Sequence, residues 1–360
     1  MIKPIVSVIM PTYNHANFVK QAIESVLMQK DVFFEFLIMD DGSVDSTREV
    51  VASISDPRIK FFPYTENRGA AVVTNELIER SSGEFIALIN SDDYWMDDDK
   101  LSYQVEILRN NPDIGAIFGR ARFVDKDGNR ILTLPFGNVF EQENRTQGQW
   151  LRYFFDHSNC ICHPTMLIRK TCYQELGLYN NRLRQLPDFD MWVRLIKSYK
   201  IYISERELIN FRIMPGENAS AQTPINMVRT LNEHLVISES FFDNVSKEQL
   251  IDGFFDYLVM KEIPTQIHLE IEKARMFMIY NQWLGKPYQI VGINKLYKLF
   301  NIPEANTILH TDYNMSDRWF HAKMGEIDVL RPTIVEKIER KASRIKVILE
   351  KFIAKVNLPQ

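Results

Sequence analysis

The 360-residue chain has 45% hydrophobic and 25% charged residues and a formal net charge of -4, the balance of a soluble globular protein long enough for a sizeable core plus a second unit. That charge gives no reason to expect a nucleic-acid partner, and no apolar run approaches the roughly 18 residues of a membrane-spanning helix. The three cysteines, Cys160, Cys162 and Cys172, make no disulfide framework and fit a reducing cytoplasm. Cys160-x-Cys162-His163 lacks a fourth zinc ligand at sensible spacing, so ordinary buried thiols are expected. The N-terminal apolar run is too short for a secretory leader and passes straight into Pro11-Thr12-Tyr13.

In chain order, a strand from Ile5 to Met10 ends in Pro11-Thr12-Tyr13-Asn14, and Phe18, Ala22, Ile23, Val26 and Leu27 then repeat at helical spacing. A second strand, Phe33 to Met39, ends in Asp40-Asp41-Gly42-Ser43, whose turn and cap residues lead into a helix from Thr47 to Ile54. A short strand from Ile59 to Pro63, a turn at Asn67-Arg68-Gly69 and a helix from Ala70 to Arg80 follow. Phe85 to Ile89 is an unalternating apolar run, read as a buried strand, and it ends abruptly in Asn90-Ser91-Asp92-Asp93. Open α/β sheets bind ligands at such carboxyl ends. Two adjacent carboxylates there repel each other unless a cation or donors compensate them, although a lone Asp-Asp also serves as a helix cap. Asp97-Asp98-Asp99 is read as a favourable first turn for a helix from Leu101 to Arg109.

Further strands are predicted at Ile114 to Phe118 and Ala121 to Val124, with a hairpin turn at 125–129, and then at Thr165 to Ile168, Ile201 to Ser204 and Leu208 to Arg212. Helices are predicted from Gln149 to Phe155, up to Gly177, and from Met191 to Tyr199 behind Leu186-Pro187-Asp188-Phe189-Asp190. Strands alternating with helices argue for βαβ units under right-handed crossovers and a mostly parallel sheet. From about Asn226 the pattern becomes helix after helix, at Met227 to Phe242, Lys247 to Met260, Ile267 to Leu284 and Tyr288 to Phe300. The boundaries expected are 1–222, a helical region 223–330, and a basic amphipathic helix 331–360, where Ile338, Ala342, Ile345, Leu349, Phe352 and Val356 form a heptad seam.

Four segments taken together resemble the inverting glycosyltransferases of family two: Val8-Ile-Met-Pro-Thr-Tyr-Asn14, Met39-Asp-Asp-Gly-Ser-Val-Asp-Ser-Thr47, Leu88-Ile-Asn-Ser-Asp-Asp-Tyr-Trp95 and Asp188-Phe-Asp-Met-Trp-Val-Arg194. The resemblance covers about residues 4–220 and implies a GT-A type α/β fold, with the helical remainder outside it. It implies that the Pro11-Thr12-Tyr13 loop lines a nucleotide pocket with Tyr13 near the base, and that one of the pair Asp40-Asp41, Asp41 in the first instance, accepts a hydrogen bond from a pyrimidine N–H while the other holds the loop. Arg68 falls where the family has a basic residue near the nucleotide, and an exposed turn arginine fits that position equally. Asp92 then contacts the ribose and Asp93 ligates Mn²⁺ or Mg²⁺ on the diphosphate.

Asp188 matches the general base, which takes the acceptor hydroxyl proton, with Asp190 as competitor and helix capping as the plain alternative for either. Pro187 stands where the family has a glutamate, so a supporting carboxylate is absent. Arg212-Ile213-Met214 lacks the histidine of the family's last loop, leaving Asn218 and Ser220 to close over the diphosphate. His163 is either an acceptor contact or a histidine satisfied by local backbone. The Gln-x-x-Arg-Trp signature of processive synthases is missing, so one sugar is added per encounter.

The resemblance thus implies a metal-dependent transfer from a nucleotide sugar, a UDP-sugar above all, to a glycan or glycolipid acceptor. The setting expected is cytoplasmic, at the inner face of a membrane. The C-terminal helix either lies on an anionic membrane surface or pairs its seam with another helix in this chain or a partner subunit. The competing class is a non-catalytic nucleotide-sugar-binding scaffold on the same fold. A nucleotidyltransferase would need a glycine- and lysine-rich nucleotide loop that the N-terminus lacks.

Overall fold

The computed structural model describes residues 3–132, 139–214, 223–279 and 284–327. Strand β1 (Val6–Thr12) runs into α1 (Val19–Leu27), β2 (Phe34–Asp40) into α2 (Thr47–Ala52), and β3 (Ile59–Pro63) into α3 (Ala70–Arg80). After β4 (Phe85–Leu88) come the two-residue β5 (Tyr94–Trp95), α4 (Lys100–Asn110), β6 (Ile114–Val124) and α5 (Gln147–His157). A 3₁₀ turn at His163–Thr165 leads to β7 (Leu167–Arg169), α6 (Lys170–Leu176), α7 (Pro187–Ser198) and β8 (Lys200–Arg212). The eight strands form one sheet in the order β3-β2-β1-β4-β7-β6-β8-β5. Pairing is parallel for β1 with β2 and β4, β2 with β3, and β6 with β8, and antiparallel around β7 and β5. The mostly parallel α/β fold expected from the sequence is therefore the fold observed.

The apolar runs explain it. Every residue of β2 is buried and β1 is buried save Pro11, as strands covered on both faces must be. Val19, Ala22, Ile23 and Val26 of α1 pack into the same core. Where the sequence suggested two strand pairs, β6 and β8 are each continuous, and their register slips at Gly119/Arg120 so that Glu205 and Arg206 bulge out. The bulged Arg206 reaches Asp97 (3.0 Å) and Asp99 (2.6 Å), while Asp98 pairs with Lys30. The Asp97–Asp99 run thus precedes α4 and serves ion pairs; no acidic side chain sits in that helix's first turn.

The sequence boundary after residue 222 separates α8 (Pro224–Ser240) and α9 (Lys247–Phe254) from the sheet. In the structure both belong to a compact unit spanning 1–261. Phe155 of α5 meets the rings of Phe241, Phe242 and Phe254 at 5.2–5.8 Å. Helix α8 is inverted relative to an ordinary amphipathic helix: Glu233, His234, Ile237 and Ser238 are buried, whereas Ile225, Val228 and Leu231 are exposed. Helices α5 and α9 cross at Gly148 and Gly253, and a Cβ on Gly253 would run into the Gly148 carbonyl. Gly253→Ala is therefore expected to cost about 1–3 kcal/mol and to lower Tm by roughly 5 °C; an unchanged thermal melt would show that the two helices can part freely.

The second unit, 262–360, holds α10 (Gln266–Ile279), α11 (Gly285–Phe300), α12 (Pro303–Thr311) and α13 (Asp317–Glu326). Its own core is Ile271, Ala274, Leu296, Leu309 and Met315. Among the described residues no helix is long and apolar enough to cross a membrane. The basic helix expected over 331–360, like Asn218 and Ser220, lies outside the described residues.

Candidate active site at the strand tips

Strands β1, β2 and β4 are parallel, so their carboxyl ends share one edge of the sheet. Hydrogen bonds stitch the loops that follow. The Asp41 N–H donates to the Thr12 carbonyl (2.8 Å), the Asn14 N–H to Ser43 Oγ (2.9 Å), and His15 Nδ1 meets Ser91 Oγ at 2.7 Å. Pro11 pairs in register with Met39, and Thr12 with Asp40. Tyr13 is 41% exposed, beside Asn14 in the left-handed region at φ 55°. Thr12 Oγ1 and Asp40 Oδ1 are buried with no hydrogen-bond partner among the described residues, an arrangement that favours a ligand donor or water arriving there.

Asp40 turns inward to accept from the Ser43 N–H (3.0 Å) and Arg48 Nε (2.7 Å). Asp41 accepts from the backbone N–H groups of Arg68 (2.6 Å) and Gly69 (2.9 Å), and burial raises its pKa. Asp41 as well as Asp40 therefore fastens a loop, and a base edge would have to use the lone pairs that remain. Gly42 is required between this turn and the next: its φ is +79°, and a Cβ would stand 2.5 Å from the Glu66 carbonyl carbon. Arg68 contributes its backbone to the strand tips. Its guanidinium instead pairs with Glu76 (3.1 Å) and stacks on Tyr64 (4.7 Å).

Asp92 and Asp93 are both buried. Asp93 Oδ1 accepts from the Arg212 N–H (2.8 Å) and its Oδ2 from Asn90 Nδ2 (3.0 Å). Burial, then the Asp92 charge, pushes its pKa well above the usual carboxylate range. Arg212 lies here because β5 pairs antiparallel with β8, Tyr94 facing Asn210, which folds the end of β8 back over the acidic turn. Its guanidinium donates to the Asp92 carbonyl and to Gln21 Oε1 (2.9 Å), and it lies over Phe18 at 4.6 Å.

Asp188 sits in the first turn of α7, where its Oδ2 accepts from Asn159 Nδ2 (2.7 Å) and its Oδ1 from the Phe189 N–H (2.8 Å). Desolvation raises its pKa to about 6 against these hydrogen bonds, with the Glu233 carboxylate adding to the rise. Asp190, two residues on in the same turn, is held by Arg194 through two bonds at 3.0 and 2.8 Å. Arg194 also donates to the carbonyls of Leu176 (2.6 Å) and Leu178 (2.9 Å), so Asp190 anchors α7 to the preceding loop. His163 is satisfied by a side chain, Tyr179 Oη at 2.8 Å, and burial lowers its pKa to about 4. All three cysteines are buried and free.

Burial first, then the charges of Asp93 and Asp188, raise the pKa of the Cys162 thiol. Asp41, at the tip of β2 beside β1, lies at the carboxyl edge that β1, β2 and β4 share. Asn159, Asn90 and Glu233 were not singled out from the sequence: each works through a neighbour's backbone or carboxylate, and no motif marks them. Among the described residues no group of three or more His, Cys, Asp or Glu is arranged to hold a metal.

The chain is similar to known glycosyltransferases. The model of glycosyl transferase family 2 matches residues 7–177. The Bacillus subtilis glycosyltransferase TuaG, assigned by name to teichuronic acid biosynthesis, is 41% identical over 221 residues, 61% of this chain and 82% of that protein. An uncharacterized glycosyltransferase of Methanocaldococcus jannaschii is 29% identical over 68% of this chain and 84% of its own. A crystal structure of S. aureus TarS in complex with UDP-GlcNAc superposes with a TM-score of 0.57 at 16% identity, covering 89% of this chain and 91% of that one. A relative this close, matched over most of its length, places the chain in glycosyl transferase family 2, among enzymes that move a sugar from a nucleotide sugar on a GT-A fold.

Proposed function

We propose that the chain transfers one sugar from a UDP-sugar to a hydroxyl of a glycan or lipid-linked acceptor, with inversion and with Asp188 as the general base. The observation that carries this reading is the gathering of Thr12, Asp41, Ser91, Asp92 and Asp93 at the shared carboxyl edge of β1, β2 and β4, where the Asp41 N–H donates to the Thr12 carbonyl (2.8 Å) and His15 Nδ1 meets Ser91 Oγ at 2.7 Å. As the acceptor oxygen attacks the anomeric carbon, its proton passes to Asp188 and the bond to the diphosphate oxygen breaks with its electron pair leaving on UDP. A single in-line displacement converts an α-linked donor into a β-linked product. Asp188 suits the task because burial sets its pKa at about 6, close to a working pH near neutrality.

Thr12, Tyr13 and Asp41 are assigned to the uracil end of the donor, and Asp92 to the ribose. The fit to a metal rests on Asp93: a buried carboxylate, destabilised by its neighbour Asp92 and left with spare lone pairs, suits a hard cation that takes its other ligands from phosphate and water. Asp93, with Asp92 beside it, would hold Mn²⁺ or Mg²⁺, which when bound supplies positive charge to the leaving diphosphate. The UDP-GlcNAc complex of TarS supports a uridine donor, and the naming of TuaG for teichuronic acid supports a polysaccharide acceptor.

Nucleoside diphosphate release from a panel of nucleotide sugars, with Mn²⁺ and candidate acceptors, tests the reading. Release from a UDP-sugar is expected; no release from any donor would favour the non-catalytic binder. Asp190→Asn separates the two candidate bases. Because Asp190 is held by Arg194, turnover should stay within about threefold of wild type, with about 1 kcal/mol lost in stability. Loss of turnover in this variant, measured in the same release assay, would move the base to Asp190.

A further inference from the structure

We propose that α8 belongs to the catalytic apparatus, its adjacent residues Glu233 and His234 being positioning residues that set Asp188 from two sides. The inference rests on the assignment of Asp188 as base and extends it to a helix that lies beyond both the motif-bearing segments and the matched family region.

Glu233 supplies what the start of α7 lacks. The helix begins Leu186-Pro187: leucine has no side-chain acceptor for the N-cap, and no side-chain cap bond forms there. Glu233 reaches in from α8 and accepts the backbone N–H groups of Arg184 (2.9 Å), Gln185 (2.8 Å) and Leu186 (2.8 Å). Three N–H donors and the positive end of the helix match the acceptor oxygens of a buried carboxylate. The turn that delivers Asp188 is thereby fixed by a residue 45 positions later. Pro187 removes the carboxylate expected immediately before the base; Glu233 restores one from a different element.

His234 fixes the other contact of Asp188. Its Nε2 meets Ser158 Oγ at 3.0 Å. Ser158 is held at φ 66° and ψ -157°, a conformation that non-glycine residues occupy only when their surroundings impose it. The next residue is Asn159, whose Nδ2 donates to Asp188 Oδ2 at 2.7 Å. The His234 ring also packs edge-on against Phe189 at 5.3 Å. One dipeptide thus controls the backbone before the base and the amide that grips it, which accounts for a helix that buries Glu and His while exposing Ile225, Val228 and Leu231.

The groups around Asp188 sort by charge. Burial keeps the Cys162 thiol and the Tyr179 hydroxyl neutral and lowers the His234 pKa to about 3. Asp190 and Arg194 on the same helix pair with each other, and the Asp93 charge, like that of Asp188, raises the pKa of Cys162. Glu233 is the charge from another element that adds to the desolvation of Asp188. Like charge disfavours ionisation, so removing it lowers the pH at which Asp188 titrates.

The test uses the full chain with ¹³C-carboxyl aspartate, the Asp188 signal being identified by its loss in Asp188→Asn. In Glu233→Gln the Asp188 midpoint is expected below the wild-type value of about 6. In Glu233→Ala the amides of residues 184–186 should exchange at least about tenfold faster. In the same variant kcat for UDP-sugar turnover should fall about tenfold with UDP affinity within about twofold, and Gln should recover part of the loss. An unmoved midpoint in Glu233→Gln, unchanged exchange in Glu233→Ala, or equal losses in kcat and UDP binding would overturn the proposal. Should Asp188→Asn retain turnover, the base assignment fails by itself, while titration and exchange still decide what Glu233 does.

Discussion

Asp188→Asn should lower sugar transfer by about 10³-fold or more while UDP binds as tightly as to the wild type. Asparagine keeps the shape of the side chain, and its oxygen can still accept the bond that Asn159 donates to Asp188 at 2.7 Å. What it cannot do is take a proton. The wild-type rate should fall as pH drops through about 6, where the base becomes protonated, whereas the variant's residual rate should lack that acid limb. The same shift makes a stability statement. A carboxyl raised from 3.8 to about 6 by burial is disfavoured in its ionised form by on the order of 2–3 kcal/mol at neutral pH. That cost is absent below the unfolded pKa and fully present above the folded one, so the asparagine variant should melt no lower than wild type at pH 7 and gain least at pH 3. Steady-state kinetics and thermal melts across pH check both halves; full turnover in the variant would retire Asp188 as base.

Asp93→Asn should abolish the effect of Mn²⁺ on UDP affinity, a loss of about tenfold or more under conditions where wild type depends on the metal. The substitution leaves the Arg212 N–H an acceptor, so the fold of the acidic turn should survive. It also removes one of two mutually repelling buried carboxylates, so no fall in stability is expected. Calorimetric titrations with UDP, with Mn²⁺ and with chelator, decide the matter: equal metal dependence in both proteins would take Asp93 out of the phosphate site.

Much of this was legible because chemistry and topology coincide at the tips of β2 and β4, where an apolar run stops and a carboxylate begins. The periodicity that marks a buried strand therefore also marks the place of Asp41 and Asp93. The ion pair of Asp190 was legible, since Asp190 stands four residues before Arg194, the spacing of a helical ion pair. Other features left weaker traces. A two-residue β5 is too short for any periodic signal, yet its pairing with β8 is what brings Arg212 to Asp93. The bulge at Glu205-Arg206 reads as a strand break because polar residues interrupt the pattern, and only the partner strand shows that the ladder resumes. Periodicity also reveals that a helix has two faces without saying which is inward. In α8 the polar pair Glu233-His234 was the available hint.

The glycine-to-glycine crossing of α5 and α9, with the phenylalanine rings around Phe155, has a practical consequence for anyone moving this enzyme between hosts or splicing it with a relative. A polypeptide trimmed at residue 222 would carry every recognisable sequence motif up to Arg212 and still be left with an oily scar where Phe241, Phe242 and Phe254 had been. The natural cassette for grafting runs to residue 261, and chimaeras joined there should stay in solution where those joined at 222 precipitate.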